Sequence, residues 1–238
     1  MIVDLAGLAA EVPDGATVAI GRLSPMALVR KLIALGRTDL HLVGVPVGEL
    51  AVDMLIAAGA VRSIETSGVD LGEHGFAPAF TQAVEQGRLR VIDSTCPALL
   101  MALQAGASGV SFTPVPGLLG TDLLARRPDW KVVSDPFRRE SEVVLVPAIA
   151  PEFGLVHALR ADPRGNAVTS TKNDDRLLIQ ASRRVLMTVE EITPDALESL
   201  QPGEQVIPSA YIDLIAEAPG GGIREGDVER YLARAATG

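Results

Sequence analysis

The sequence holds a single cysteine, Cys96, so no internal disulfide framework braces it. Aromatic residues are scarce, 3% of the 238, and any core must therefore be aliphatic. The 47% of apolar residues is ample for one. No apolar run approaches the roughly 20 residues that cross a bilayer. Residues 1–10 lack the basic flank of a secretory signal, and a cytoplasmic protein is the expectation. Basic residues are in deficit, 21 against 30 acidic, for a formal net charge of −9. Non-specific nucleic-acid binding needs a basic surface to displace counterions, and no Lys/Arg cluster supplies one. A local anion site built from backbone amides and a few arginines stays open. The histidines, His41, His74 and His157, lack metal-ligand spacing, and no metal is expected. Dinucleotide and Walker fingerprints are missing too.

What is present is alternation. Short aliphatic runs trade places with helical patterns, as in a βαβ chain. Asp14-Gly15 marks a turn, and 17–20 reads as a buried strand. After the loop 21–24, Pro25 suits a first helical turn, with Met26, Leu28, Val29, Leu32, Ile33 and Leu35 as apolar positions and Gly36 as the stop. The cycle repeats with strand 40–45, helix 50–58, strand 61–65, helix 78–86, strand 89–92 and helix 97–105. These crossover units predict a parallel sheet.

Residues 111–137 carry Pro114, Pro116, Pro128 and Pro136 with Gly117 and Gly120. They read as an extended, irregular excursion: a functional loop, a partner-contacting arm or a plain surface connection. Strands 143–146 and 153–159 follow, then a turn at 162–166, helix 174–181, strand 185–189, short helix 194–200, strand 212–216 and helix 225–236. The expected architecture is one α/β domain over 1–238, an open, mainly parallel sheet with helices on both faces.

Several segments, in order, resemble the A subunits of family I coenzyme A-transferases. Asp14-Gly15, the strand, Gly21, Pro25 and Leu28-Val29-Arg30 resemble the family's opening. Asp39-Leu40-His41-Leu42-Val43-Gly44 does so as well. So does Ala105-Gly106-Ala107-Ser108-Gly109-Val110-Ser111-Phe112-Thr113-Pro114, with its Gly-x-x-Phe-x-Pro step. The strongest piece is 153–166, where His157-Ala158, Ala161-Asp162 and Gly165-Asn166 keep the family's spacing. Val189-Glu190-Glu191-Ile192 and Ala218-Pro219-Gly220-Gly221 extend the likeness, which covers 10–222. It is nearest to glutaconate-type A subunits and to A subunits of steroid ring-cleaving hydrolases that act on coenzyme A thioesters.

The resemblance implies the NagB/RpiA/CoA-transferase-like fold and an alpha subunit that needs a B subunit, in a heterodimer or heterotetramer. It also implies an acyl-coenzyme A substrate, no permanently bound cofactor, and transfer of coenzyme A between carboxylic acids. A thioester hydrolase or ring-cleaving subunit, and a non-catalytic acyl-coenzyme A-binding protein, are the alternatives. Sugar-phosphate isomerases share the fold, but no basic phosphate cluster supports that reading. The sequence also departs from the family. Its loop Gly21-Arg22-Leu23-Ser24-Pro25 is short and lacks Gly-Gly-Phe. The nucleophilic glutamate of the transferases it resembles sits in a Ser-Glu-Asn-Gly-like motif of the B subunit, and this sequence has no such motif, so the resemblance implies a nucleophile on the partner chain. Asp93-Ser94-Thr95-Cys96-Pro97 stands where ring-cleaving A subunits carry acidic residues.

The candidate residues sit at strand ends. Asp93, Ser94, Thr95 and Cys96 join a strand's C-terminal end to a helix start, where open α/β sheets bind ligands and amides attract a developing oxyanion. The simpler reading is a helix cap. A thiol at a helix start suits thioester chemistry; the simpler reading of Cys96 is a small packed hydrophobe. Gly21, Arg22 and Ser24 form a candidate binding loop or a tight turn. Ser67 and Gly68 share the rim with Glu65, which, with Asp93 and Cys96, completes the catalytic candidates; its simpler reading is a solvated loop acid. His157 is expected in the core, paired with Asp162 or Asn166; His74 is expected to be exposed, and His41 to point opposite to Leu40 and Leu42.

Overall fold

Each aliphatic run of the first half becomes a strand and each amphipathic run a helix. The computed structural model describes residues 1–45, 47–138, 140–172, 175–197 and 199–235. The chain begins with β1 (Ile2–Val3), α1 (Leu5–Ala10), β2 (Thr17–Ile20), α2 (Met26–Ala34), β3 (Leu40–Val43), α3 (Leu50–Ala57), β4 (Val61–Thr66), α4 (Pro78–Glu85), β5 (Arg90–Asp93) and α5 (Cys96–Ala107). Next come β6 (Phe112–Val115), α6 (Leu123–Arg126), β7 (Lys131–Ser134) and β8 (Glu142–Pro147). The last part is β9 (Phe153–Ala158), β10 (Arg160–Ala161), β11 (Ala167–Ser170), α7 (Asp175–Ala181), β12 (Arg184–Val189), β13 (Glu204–Ile207), β14 (Leu214–Glu217) and α8 (Asp227–Ala235). Asp174 and Ala236, read as helical ends, lie outside the described residues.

Eight strands form one sheet in the order β1-β14-β12-β9-β2-β3-β4-β5, each neighbouring pair parallel. Alternation along the strands explains the two helical layers. Val18, Leu42, Ile64 and Leu155 pack against Leu8, Leu28, Leu32 and Leu55 of α1, α2 and α3. Ala19, Val43, Val156 and Met187 point the other way, to Leu103 of α5 and to Leu178 and Ile179 of α7. The strand order turns at β2, with β3, β4 and β5 laid to one side and β9, β12 and β14 to the other. In open α/β sheets such a reversal opens a crevice over the strands' C-terminal ends.

The irregular excursion expected at 111–137 is corrected. β6 and β7 flank β8 in an antiparallel three-stranded sheet. Val115, Val144 and Val146 turn inward with Trp130 onto Ala98 and Ala102 of α5. Pro114 is tolerated because β6 is an edge strand, where a missing N–H breaks no ladder. The strand read at 143–146 thus belongs to this satellite sheet, not the main one. β10, β11 and β13 make a second small antiparallel sheet, with the 162–166 turn as its hairpin. The short helix expected at 194–200 does not form among the described residues there. The Leu197 N–H is given to Asp162, and Thr193 Oγ1 donates to Asp195 O at 2.8 Å, so local turns take the groups a helix would use.

Candidate active site

Gly21 follows β2 directly, at the reversal. Its N–H donates to Leu155 O at 2.8 Å. A Cβ here would lie 2.6 Å from Asp175 Oδ1 and 2.9 Å from Val156 Cγ1, so only glycine lets the loop pass this close to α7 and β9. The Arg22 N–H donates to the same Asp175 oxygen at 2.7 Å. Ser24 is buried, and its hydroxyl donates to Gly21 O at 3.2 Å. This bond closes the loop on itself. The exposed Arg22 guanidinium lies 3.5 Å from Glu49 Oε1. Arg22, Glu49, Asp70, Leu71 and Ile223 line a cavity of about 340 Å³. Burial pushes the Glu49 carboxyl up, Arg22 pulls it back, and the Asp70 and Asp175 carboxylates push it further up. A carboxyl raised in this way is better matched to proton transfer near neutrality.

A second cavity opens beyond β4 and β5. The Glu65 carboxylate, near the end of β4, lies 2.9 Å from Arg127 Nη1. Arg127 is itself 5% exposed. Its Nη1 also donates to Asp93 O at 2.9 Å, and its Nε and Nη2 grip Asp129 at 3.0 and 2.8 Å. The guanidinium sits 4.5 Å from the centroid of the Trp130 ring. One side chain thus ties β4, β5 and the segment after α6 together. Burial pushes the Glu65 carboxyl up, and Arg127 opposes it; the bond from Arg127 holds Asp129 down. Glu65 is therefore no solvated loop acid: it lies within a strand, and the folding-in of 126–130 covers it. Asp93 Oδ2 accepts from Arg126 Nη1 at 3.0 Å. Asp93, Glu65, Arg126, Arg127 and Asp129 surround about 430 Å³.

Between the cavities run the other candidates. Thr95 caps α5, its Oγ1 accepting the Ala98 N–H at 3.2 Å. The Ser94 N–H donates to Thr66 O at 3.1 Å. Cys96 is exposed, with Sγ 3.1 Å from Ser67 Oγ, so it is not a packed hydrophobe: the first turn of α5 leaves it on the rim. Gly68 O accepts from the Gly48 N–H at 2.9 Å, and Gly48 O from the Asp70 N–H at 3.0 Å, which carries this rim toward the Arg22 cavity.

Sequence reasoning missed Glu49, Asp70, Asp175, Arg126, Arg127 and Asp129. Arg126-Arg127-Pro128-Asp129-Trp130 held a usable signal, two arginines beside an acid and the sole tryptophan. Glu49 and Asp70 held none. His157 does not pair with Asp162 or Asn166. Those two close their own turn, with Asn166 Nδ2 donating to Asp162 Oδ2 at 2.9 Å. The course of β9 instead aims the imidazole at Thr188 and Glu190, at 2.8 and 2.9 Å. His74 is exposed, as expected, with Nε2 3.7 Å from Glu229 Oε1. His41 does face away from Leu40 and Leu42, with Nδ1 2.8 Å from Ser63 Oγ. Among the described residues there is no cluster of three His, Cys, Asp or Glu able to hold a metal, and no helix long and apolar enough to cross a membrane.

The chain is similar in sequence and fold to known proteins. The family model for Coenzyme A transferase matches residues 3–218. The A subunit of the 3-oxoadipate CoA-transferase of Pseudomonas knackmussii is 31% identical over 220 residues, covering 88% of this chain and 76% of that one. An uncharacterized protein of Archaeoglobus fulgidus is 33% identical over 196 residues, 80% of this chain; the match spans 41% of that protein's length. Among solved structures, a variant of the decarboxylase AibA/AibB superimposes with a TM-score of 0.89 at 32% identity, covering 100% of this chain and 94% of that chain. Glutaconate coenzyme A-transferase from Acidaminococcus fermentans gives 0.83 at 25% identity, covering 92% and 76%. The family match runs from β1 to β14 and takes in the segment 153–166, and the chain belongs to the coenzyme A transferase family.

Proposed function

We propose that this chain is the A subunit of a heteromeric coenzyme A-transferase-like enzyme, which with a B subunit moves coenzyme A from an acyl thioester to another carboxylic acid. The observation that carries this reading is that the carboxylates of the β4–β5 rim are engaged, Glu65 by Arg127 and Asp93 by Arg126. A carboxylate held in an ion pair is a weak nucleophile toward a thioester. The attacking glutamate is then supplied by the partner, in keeping with the missing Ser-Glu-Asn-Gly-like motif.

That glutamate adds to the thioester carbonyl, and the coenzyme A thiolate leaves, giving an acyl-glutamyl anhydride. The thiolate then attacks the glutamyl carbonyl and expels the first carboxylate. The incoming acid runs both steps in reverse. This chain contributes the acyl pocket from Gly21, Arg22, Ser67, Gly68, Ser94 and Thr95, with Ser24 shaping the loop. Arg22 and Arg126 offer exposed charge to a carboxylate. The thioester is substrate, and no resident cofactor enters the scheme. Should water replace the acceptor, Asp93 or Glu65 is the base, and Cys96 lies on the same rim. The chain works as one domain, in the cytoplasm.

One observation favours a second reading. The solved chain that this one matches almost end to end, 100% and 94%, comes from a decarboxylase. Loss of carbon dioxide leaves a carbanion that needs a proton. Glu49, raised by burial beside Arg22, is placed to give one while Arg22 orients the departing carboxylate.

The test is to recover the protein from its host with every co-purifying chain, then supply an acyl-coenzyme A that carries a second carboxylate, with and without an acceptor acid. A new thioester formed from the acceptor supports transfer. Carbon dioxide with the thioester intact supports decarboxylation, and free coenzyme A supports hydrolysis. Thioester binding without any product points to the non-catalytic alternative, and recovery as a lone chain ends the two-subunit reading.

A further inference from the structure

His157 is buried at the end of β9, and the reaction proposed above makes no use of it. Its Nε2 lies 2.9 Å from Glu190 Oε1 and its Nδ1 2.8 Å from Thr188 Oγ1. Glu190 Oε2 accepts the Gly220 N–H at 2.6 Å, and the Gly222 N–H is a further donor to the same carboxylate. A Cβ on Gly222 would lie 2.6 Å from His157 Cδ2, so the strap 218–223 touches the imidazole at Gly222. This strap is bonded in turn to the crevice loop. The Ile223 N–H donates to Ser24 O at 3.1 Å, the Ala27 N–H to Gly221 O at 2.8 Å, and the His157 N–H to Leu23 O at 3.2 Å. Ile223 is also part of the wall of the Arg22 cavity.

We propose that His157 is a positioning residue: through Glu190 it clamps the strap 218–223, and through the strap it holds the Gly21–Ser24 loop in its crevice geometry. The value of that loop to catalysis rests on the reading in the preceding section; the clamp does not. A carboxylate only accepts, so His157 Nε2 carries the hydrogen and Nδ1 accepts from the Thr188 hydroxyl. The charged groups facing the ring are Glu190, from the end of β12, and Arg224, from beyond the strap. Protonation adds a donor at Nδ1, against the Thr188 hydroxyl, which must then turn.

Backbone hydrogen exchange of the intact protein, read at 21–27 and 218–223, tests the clamp. His157→Gln keeps an amide nitrogen near the Nε2 position, whereas His157→Asn can meet Thr188 but falls short of Glu190. The expected result is that H157N raises exchange in both segments about tenfold, as loss of one hydrogen bond to a charged group implies, and that H157Q stays close to the parent. Equal rises in both variants, or a rise in the strap with 21–27 unchanged, would overturn the proposal. Should H157N fail to fold, Glu190→Ala serves from the other side: it removes the acceptor for both the imidazole and the Gly220 N–H, and both segments should loosen. Unchanged exchange in E190A overturns the clamp as well. Loosened segments with undiminished thioester turnover uphold the clamp and remove the loop from the reaction.

Discussion

Arg127 has three hydrogen-bond and ion-pair partners, Glu65, Asp129 and the Asp93 carbonyl, while almost wholly out of water. Arg127→Met would leave Glu65 and Asp129 without their counter-charge. Removing one side of a buried pair costs on the order of 3–5 kcal/mol. Denaturant unfolding should show a loss of that size, and one under about 1 kcal/mol would mean that water already screens the cluster. Gly21→Ala works by crowding instead. Its new methyl meets the Asp175 carboxylate and Val156, so the loop must shift, at about 1–3 kcal/mol. Thioester turnover by the native complex should fall more than stability does; turnover at the parent rate would take Gly21 out of the pocket. At this scale the sequence was half legible. Gly21, Arg22, Glu65 and Asp93 stand at or near strand ends, where position alone marks them. Glu49, Asp70 and Arg127 acquire meaning only from neighbours distant in the chain, and no local pattern encodes that.

Thr95 illustrates the element scale. Its backbone is extended, φ −120° and ψ 155°, and its hydroxyl satisfies an amide of the first turn of α5. Thr95→Ala should cost about 1 kcal/mol, read as a lower thermal midpoint, and Thr95→Ser should restore most of it. If both variants matched the parent, the cap would be dispensable and Thr95 better explained by substrate contact. The eight elements from β2 to α5 could be read because strand and helix periods alternate there without interruption, whereas β1 and α1 were not read. The satellite sheet β6–β8–β7 could not. Its strands are short, one contains Pro114, and their inward residues make sense only against Ala98 and Ala102 of α5. β13 was hidden similarly, because Glu204-Gln205-Val206-Ile207 has too few apolar residues to announce a strand and is held by pairing with β11.

Titration is a property of the whole molecule. Burial lowers both His41 and His157, the first helped by Arg62 and Arg90, the second resisted by Glu190. The unfolded chain therefore takes up these protons first. Their stabilising contribution is complete above the ordinary histidine range and is lost as pH falls from about 6.5 toward the folded values. A second decline comes lower. Hydrogen bonds from Arg127 lower Asp129, and for Asp162 and Glu190 donated bonds outweigh the upward push of burial. Their stabilisation is present above the usual carboxylate range and lost as pH falls through the folded values. Thermal midpoints measured from pH 8 to pH 3 should show a plateau and then two separate falls. Replacing both histidines with glutamine should flatten the upper one; an unchanged upper fall would assign it to other groups.

The reversal of strand order at β2 has a consequence for how the protein is made. Val18 finds its second neighbour in Phe153, and Ile2 finds Ile215. During synthesis, β2 to β5 leave the ribosome with the β2 edge bare, because β9 has yet to be translated. A parallel sheet missing an inner strand offers a row of unpaired amides and carbonyls to any other nascent chain. The place that becomes the crevice is thus, for as long as translation takes to reach residue 158, an open edge at which two copies can pair wrongly, and slow elongation through 94–152 would lengthen that interval.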